Sequence, residues 1–176
     1  LGLSGGIDSA LTLAIATDAL GADKVQAVMM PFEYTSKLSL DAAAKQAKRL
    51  SVKYTLIPIN KVYKAFISAL DEEFADTDPD VSEQNLQARS RGVILMGISN
   101  KKGLLVLTTG NKSEIAVGYS TLYGDMAGGF NVLKDVSKTL VYELCRHRNR
   151  QEAGRGEDLI PQEVIDRAPS AELLPG

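Results

Sequence analysis

Leu1-Gly2-Leu3-Ser4-Gly5-Gly6-Ile7-Asp8-Ser9 runs from an apolar segment through a pair of glycines into a helical pattern. In residues 9–20, Leu11, Ala14, Ile15 and Ala19 recur at helical spacing, and Gly21 is a plausible stop. The opening therefore reads as strand, loop, helix. Working outward, residues 25–30 form a short apolar run ending at Pro31, the pattern of a buried parallel strand, and residues 40–50 are an alanine-rich helical stretch. A third strand is expected over residues 54–59 and an amphipathic helix over 62–74. The acidic segment 76–80 reads as a turn before a helix that begins near Ser82. Residues 104–108, Leu-Leu-Val-Leu-Thr, suggest another buried strand. Ser137 is placed to cap a helix running to Arg148, and the polar, glycine-containing stretch 149–158 is expected to be poorly ordered. This alternation predicts an α/β fold: a doubly wound, mainly parallel sheet with helices on both faces.

A chain of 176 residues has the size of one domain, and 44% hydrophobic content is too high for a chain disordered as a whole. The net charge of −2 gives no case for binding nucleic-acid phosphates, so small-molecule chemistry is the better expectation. Cys145 is the only cysteine, which leaves no internal disulfide and no thiolate metal site. Cys145 reads as core packing and His147 as a surface residue. No apolar run approaches the roughly 20 residues a membrane span needs. A reducing, cytoplasmic setting is expected. Because the first residues read like the end of a strand, a fragment of a longer protein is expected, with the 176 residues forming a single domain.

The loop 4–9 lies where a parallel strand hands over to a helix, the edge at which open α/β sheets bind ligands. Paired glycines let backbone N–H groups approach an anion, with the helix dipole behind them. Ser4 and Ser9 add hydroxyl donors, and Asp8 offers a carboxylate for Mg²⁺. A bare glycine turn followed by a helix cap would use the same residues. The lysine of the Gly-x-x-x-x-Gly-Lys-Ser/Thr loop is absent, which disfavours transfer of a γ-phosphoryl group.

The full string Ser4-Gly5-Gly6-Ile7-Asp8-Ser9 resembles the pyrophosphate-binding PP-loop of the ATP pyrophosphatases, which adenylate an acceptor and release pyrophosphate. Three further strings narrow the resemblance: Asn85-Leu86-Gln87-Ala88-Arg89-Ser90-Arg91, Thr108-Thr109-Gly110-Asn111-Lys112-Ser113-Glu114 with the segment 119–129, and Arg167-Ala168-Pro169-Ser170-Ala171-Glu172-Leu173. Together they resemble NAD synthetases of the glutamine-dependent branch over essentially the whole chain, and imply an adenine nucleotide alpha hydrolase-like fold.

The resemblance implies that Gly2, Leu3, Ser4, Gly5, Gly6, Ile7, Asp8 and Ser9 meet ATP or its pyrophosphate, with Met30 near the adenine. Arg91, Thr109, Lys138 and Ser170 would also contact ATP. Asp8 and Glu114 would hold Mg²⁺, Glu114 standing also near the nicotinate end, while Asn85, Arg89 and Asp125 hold deamido-NAD. Asp8 and Lys138 are the implied catalytic residues. Ammonia would come from glutamine through an amidase domain preceding this chain, with a further tail following it, in a homodimer. Two rival expectations are a sibling ATP pyrophosphatase such as GMP synthetase and a non-catalytic nucleotide sensor.

Overall fold

A computed structural model describes residues 1–152, 158–170 and 172–173. Strand β1 (Gln26–Met29) lies between residues 1–3 and strand β2 (Lys53–Leu56), all parallel. The Leu3 amide donates to the Val28 carbonyl at 2.9 Å and the Val28 amide to the Leu1 carbonyl at 3.0 Å. Register runs from Gln26–Lys53 to Met29–Leu56. Beyond the strand ends, Ile57 donates to Met29 and Ile59 to Pro31, so the parallel course expected over residues 54–59 persists past the regular ladder.

Around this sheet stand α1 (Ile7–Leu20), α2 (Lys37–Arg49), α3 (Asn60–Ala69) and α4 (Val81–Lys102). Alternate residues of β1 serve opposite layers, as strand geometry requires. Ala27 and Met29 are buried with Leu13 and Ala16 of α1 and Ala43 and Ala47 of α2. Val28 and Met30 are buried on the other side, where Tyr63 of α3 and Ile94, Leu95 and Ile98 of α4 pack. This division is the expected double winding. Helix α1 is buried nearly all round because its remaining face, Ile7, Ala10, Leu11 and Ala14, packs on Val141 and Cys145 of α6 (Lys138–Gln151).

A second parallel ladder joins β3 (Leu107–Thr108) to β4 (Phe130–Asn131). The expected strand over 104–108 is shorter and less buried than its apolar run suggested: Leu104 and Leu105 are 42% and 66% exposed. The cause is local. Helix α4 runs to Lys102 and stops at Gly103, whose φ of 66° is left-handed, so the next residues form its exit turn. Two short helices were not anticipated, α5 (Lys112–Ala116) and α7 (Gln162–Asp166).

Helix α6 extends past Arg148. Buried Asn149 donates to the Ile160 carbonyl at 2.8 Å and accepts from the Ile160 amide at 2.9 Å, pinning the helix end to the segment before α7. Residues 149–151 are thus ordered helix, against the expectation for 149–158, while 153–157 lie outside the described residues. No described helix is long and apolar enough to cross a membrane.

Leu13 is fully buried between α1 and the sheet. Leu13→Ala should lower stability by about 2–5 kcal/mol through lost burial and a residual cavity, read as a lower midpoint in urea unfolding with unchanged slope.

Candidate active site

The turn into α1 is built by two glycines with different tasks. Gly5 has φ +79°, and a Cβ there would stand 2.3 Å from the Ser39 carbonyl oxygen, so neither its conformation nor its neighbour admits a side chain. Gly6 occupies the N-cap position without a side-chain cap, so the first-turn N–H groups of α1 lack the partner such positions usually recruit. Serine hydroxyls tie the loop together. The Ser4 amide donates to Ser9 Oγ at 3.2 Å, the Gly6 amide to Ser4 Oγ at 3.1 Å, and Ser9 Oγ to the Gly6 carbonyl at 3.0 Å. The result is a pre-shaped rim on a cavity of about 840 Å³.

Three charged side chains meet at this rim. Lys138, the first residue of α6, places its ammonium against Asp8 Oδ2 and 3.5 Å from Glu114 Oε1. Asn111, fully buried, organises the pair of acids. Its Nδ2 donates to Asp8 Oδ1 at 2.8 Å, while its Oδ1 accepts from the Glu114 amide at 3.0 Å and caps α5. The Asn111 amide in turn donates to Glu114 Oε2 at 3.3 Å, completing a capping box. Two hydrogen bonds tie α5 to the start of α6: the Lys112 amide donates to the Val136 carbonyl just before α6, and the Lys138 amide donates to Ser113 Oγ.

Burial raises the Glu114 pKa, the Asp8 charge raises it further, and the Asn111 amide and Lys138 oppose both. For Lys138, burial disfavours the charged form, yet the bond to Asp8 and the charges of both acids outweigh it and raise the pKa. The lysine therefore stays an ammonium at neutral pH. Desolvation pushes Arg91 down to about 10, still cationic, and its Nε donates to the Met30 carbonyl at 2.9 Å.

The structure brings most of the implied site residues together. Ser4, Gly6, Ile7, Asp8 and Ser9 line the large cavity, as do Glu114, Lys138 and Ser170. Gly2, Leu3 and Met30 line an adjoining cavity of about 200 Å³, and Arg91, Thr109 and Asp125 border both. Gly5 lines neither and instead abuts α2. Asn85 and Arg89 also lie outside both cavities. Asn85 Oδ1 accepts from Thr121 Oγ1 at 2.9 Å, and Arg89 Nε donates to the Leu122 carbonyl at 3.2 Å, so both hold the 119–124 turn. Asp125 grips the same turn by accepting from the Thr121 amide at 2.8 Å.

Sequence reasoning missed Asn111, although it stood in a quoted string. Its spacing from Glu114 is the capping-box signature, and that signal was available; the contact to Asp8 was not. Cys145 is fully buried, with its thiol pushed up to about 12 by desolvation, as befits packing.

Among the described residues no cluster of three or more His, Cys, Asp or Glu forms a closed metal cage. The donor set nonetheless fits Mg²⁺, which takes one or two carboxylates and completes its shell with substrate phosphates and water. Asp8 and Glu114 face one ammonium beside the glycine loop, where a divalent cation has the same charge logic.

A model of the NAD synthase family matches residues 1–176. The glutamine-dependent NAD(+) synthetase of Acinetobacter baylyi is 59% identical over 175 residues, 99% of this chain and 32% of that protein. That of Thermotoga maritima is 53% identical over 100% of this chain and 30% of its own length. Among solved structures, the glutamine-dependent NAD+ synthetase of Acinetobacter baumannii in complex with adenosine diphosphate superposes with a TM-score of 0.92 at 56% identity, covering 97% of this chain and 32% of that one. The chain thus spans about a third of the length of these relatives.

Because the folded protein raises the Glu114 pKa, the protonated group favours the fold below its unfolded value, and that contribution is lost as pH rises through the folded value. Glu114→Gln keeps a neutral side chain throughout. Without ligand, the variant should melt higher than the wild type at pH 7, with the advantage fading below the ordinary glutamate range. Thermal melts across pH 3.5–8 check the sign.

Proposed function

The chain belongs to the NAD synthase family, and from that premise we propose that it adenylates deamido-NAD with ATP and converts the activated carboxylate to the amide. The observation that carries this reading is the meeting of Lys138, Asp8 and Glu114 at the uncapped N-terminus of α1. A nucleotide has its pyrophosphate held by the glycine loop and its adenine toward Gly2 and Met30. GMP synthetase chemistry and a non-catalytic sensor are not favoured by a family match over the whole chain.

The reaction asks the protein to bring two anions into contact. A nicotinate carboxylate oxygen attacks the α-phosphorus, the bond to the bridging β-oxygen breaks, and pyrophosphate leaves. Ammonia then attacks the acyl carbon, loses a proton, and AMP departs with the former carboxylate oxygen. Lys138, cationic and tethered at both acids, delivers its charge to the phosphates without reorganising. Arg91 and Thr109 border both cavities, where they orient the nucleotide between its base and its phosphates. Asp8 and Glu114 would hold Mg²⁺, which supplies charge neutralisation at the phosphoryl oxygens. Ser170 adds a hydroxyl at the large cavity.

Deamido-NAD is proposed to lie toward Asp125 and the turn that Asn85 and Arg89 hold. That region exposes apolar side chains: Leu122 is 63% and Tyr123 81% exposed, and Val93 on α4 is 60% exposed. We take these exposed apolar side chains as the face that a second copy of the chain would cover in a homodimer. Ammonia is proposed to come from glutamine, hydrolysed elsewhere in a longer protein, in the cytoplasm.

With ATP, Mg²⁺ and ammonia, NAD and pyrophosphate should form from deamido-NAD in equal amounts, and nicotinate mononucleotide or XMP should give far less. Lys138→Ala should lower kcat about 10²–10³-fold while the protein stays folded. Activity retained within twofold would refute the lysine's role. Tyr123→Asp should move sedimentation from dimer to monomer; an unchanged coefficient would remove that surface from the interface.

A further inference from the structure

Arg167 and Glu172 lie near the end of the described residues, yet they reach back to the start of the chain. Arg167 Nη2 donates to the Gly5 carbonyl at 3.3 Å, and its Nη1 donates to Ser39 Oγ at 2.8 Å and Glu172 Oε1 at 3.3 Å. Glu172 Oε1 also accepts from Ser36 Oγ at 2.7 Å and Ser39 Oγ at 2.8 Å, and Oε2 accepts from the Ser36 amide at 3.2 Å. Ser36 is the N-cap of α2, so the carboxylate sits at a helix N-terminus, where its charge is favoured. Burial pushes the Glu172 pKa up, but the serine bonds and Arg167 together hold it below the ordinary carboxylate value. It remains an anion at neutral pH, matched to the guanidinium.

The Gly5 carbonyl matters because of peptide geometry. A planar trans peptide points its N–H opposite to its C=O, and no described peptide is cis. Fixing the Gly5 oxygen on Arg167 therefore fixes the direction of the Gly6 N–H, which donates to Ser4 Oγ at 3.1 Å at the cavity rim. Gly5 has left-handed φ and no side chain, so its own backbone is intrinsically freer to rotate than that of a substituted residue. Ser39 presses on Gly5 from below and Arg167 clamps it from the side.

We propose that Arg167 and Glu172 are positioning residues for the pyrophosphate loop: Glu172 anchors Arg167 on the start of α2, and Arg167 sets the Gly5–Gly6 peptide so that its N–H holds the Ser4 hydroxyl in place at the cavity rim before the anion arrives. Neither residue need touch the reacting atoms. This rests on the functional reading above, since it assumes that loop 4–9 takes pyrophosphate.

The test is calorimetric titration of the chain with inorganic pyrophosphate and, separately, with adenosine, for wild type, Glu172→Ala, Arg167→Lys and Arg167→Ala, alongside thermal melts. Pyrophosphate affinity should fall tenfold or more in both alanine variants while adenosine affinity stays within twofold. Arg167→Lys, which keeps charge but loses the fork, should recover only part of the loss. In turnover assays the loss should appear in KM for ATP and in kcat together. Unchanged pyrophosphate affinity in a folded Glu172→Ala variant overturns the proposal while the function stands. Parallel loss of pyrophosphate and adenosine binding also overturns it, because that marks general loosening of the fold. Failure of the wild type to bind pyrophosphate overturns both readings.

Discussion

An ammonium held between two carboxylates at the mouth of a glycine loop is the contact on which the site depends. Asp8, Glu114 and Lys138 come from α1, α5 and α6, separated by more than a hundred residues at the extremes. Packing brings them together: Ile7, Ala10, Leu11 and Ala14 of α1 lie on Val141 and Cys145 of α6. Without Lys138, two half-buried acids would stand unbalanced beside each other, a costly arrangement. With it the cluster is tolerable in the free protein and has charge to offer a phosphate. Such clusters add little net stability; the apolar contacts around α1 carry that burden.

The second constraint is close backbone approach. Gly5 admits the Ser39 backbone, and Gly92 on α4 admits the carbonyls of Tyr123 and Gly124, where a Cβ would come within 2.9 Å. Gly124 lies equally tightly on Ala88, and Gly128 on Thr108. Small residues on α4 therefore seat the 119–129 segment directly above the cavity. That segment ends in β4, whose pairing with β3 closes one wall.

Much of this was legible in the sequence. The glycine loop between an apolar segment and a helix marked residues that line the large cavity, and alternating strand and helix patterns pointed to the double winding. The strings holding Arg91, Thr109 and Glu114, together with Lys138 as the resemblance implied it, marked residues that do share one cavity. What stayed hidden has physical causes. Strand β4 has two residues, too few for any periodicity, and α5 is a capped single turn. Leu104 and Leu105 read as core because apolarity does not reveal a helix exit. The roles of Asn111, Arg167 and Glu172 rest on contacts across 103 to 162 residues, which spacing cannot encode.

The proposed adenylation, rather than phosphorylation, rests on reading loop 4–9 as one that retains pyrophosphate and on the absence of the lysine of γ-phosphoryl transfer. The most direct measurement is isotope tracing with deamido-NAD carrying ¹⁸O in its nicotinate carboxylate, turned over with ATP, Mg²⁺ and ammonia. Attack at the α-phosphorus predicts one ¹⁸O in AMP and none in pyrophosphate. Label in inorganic phosphate or in pyrophosphate would contradict the adenylated intermediate and the reading of the loop on which it rests.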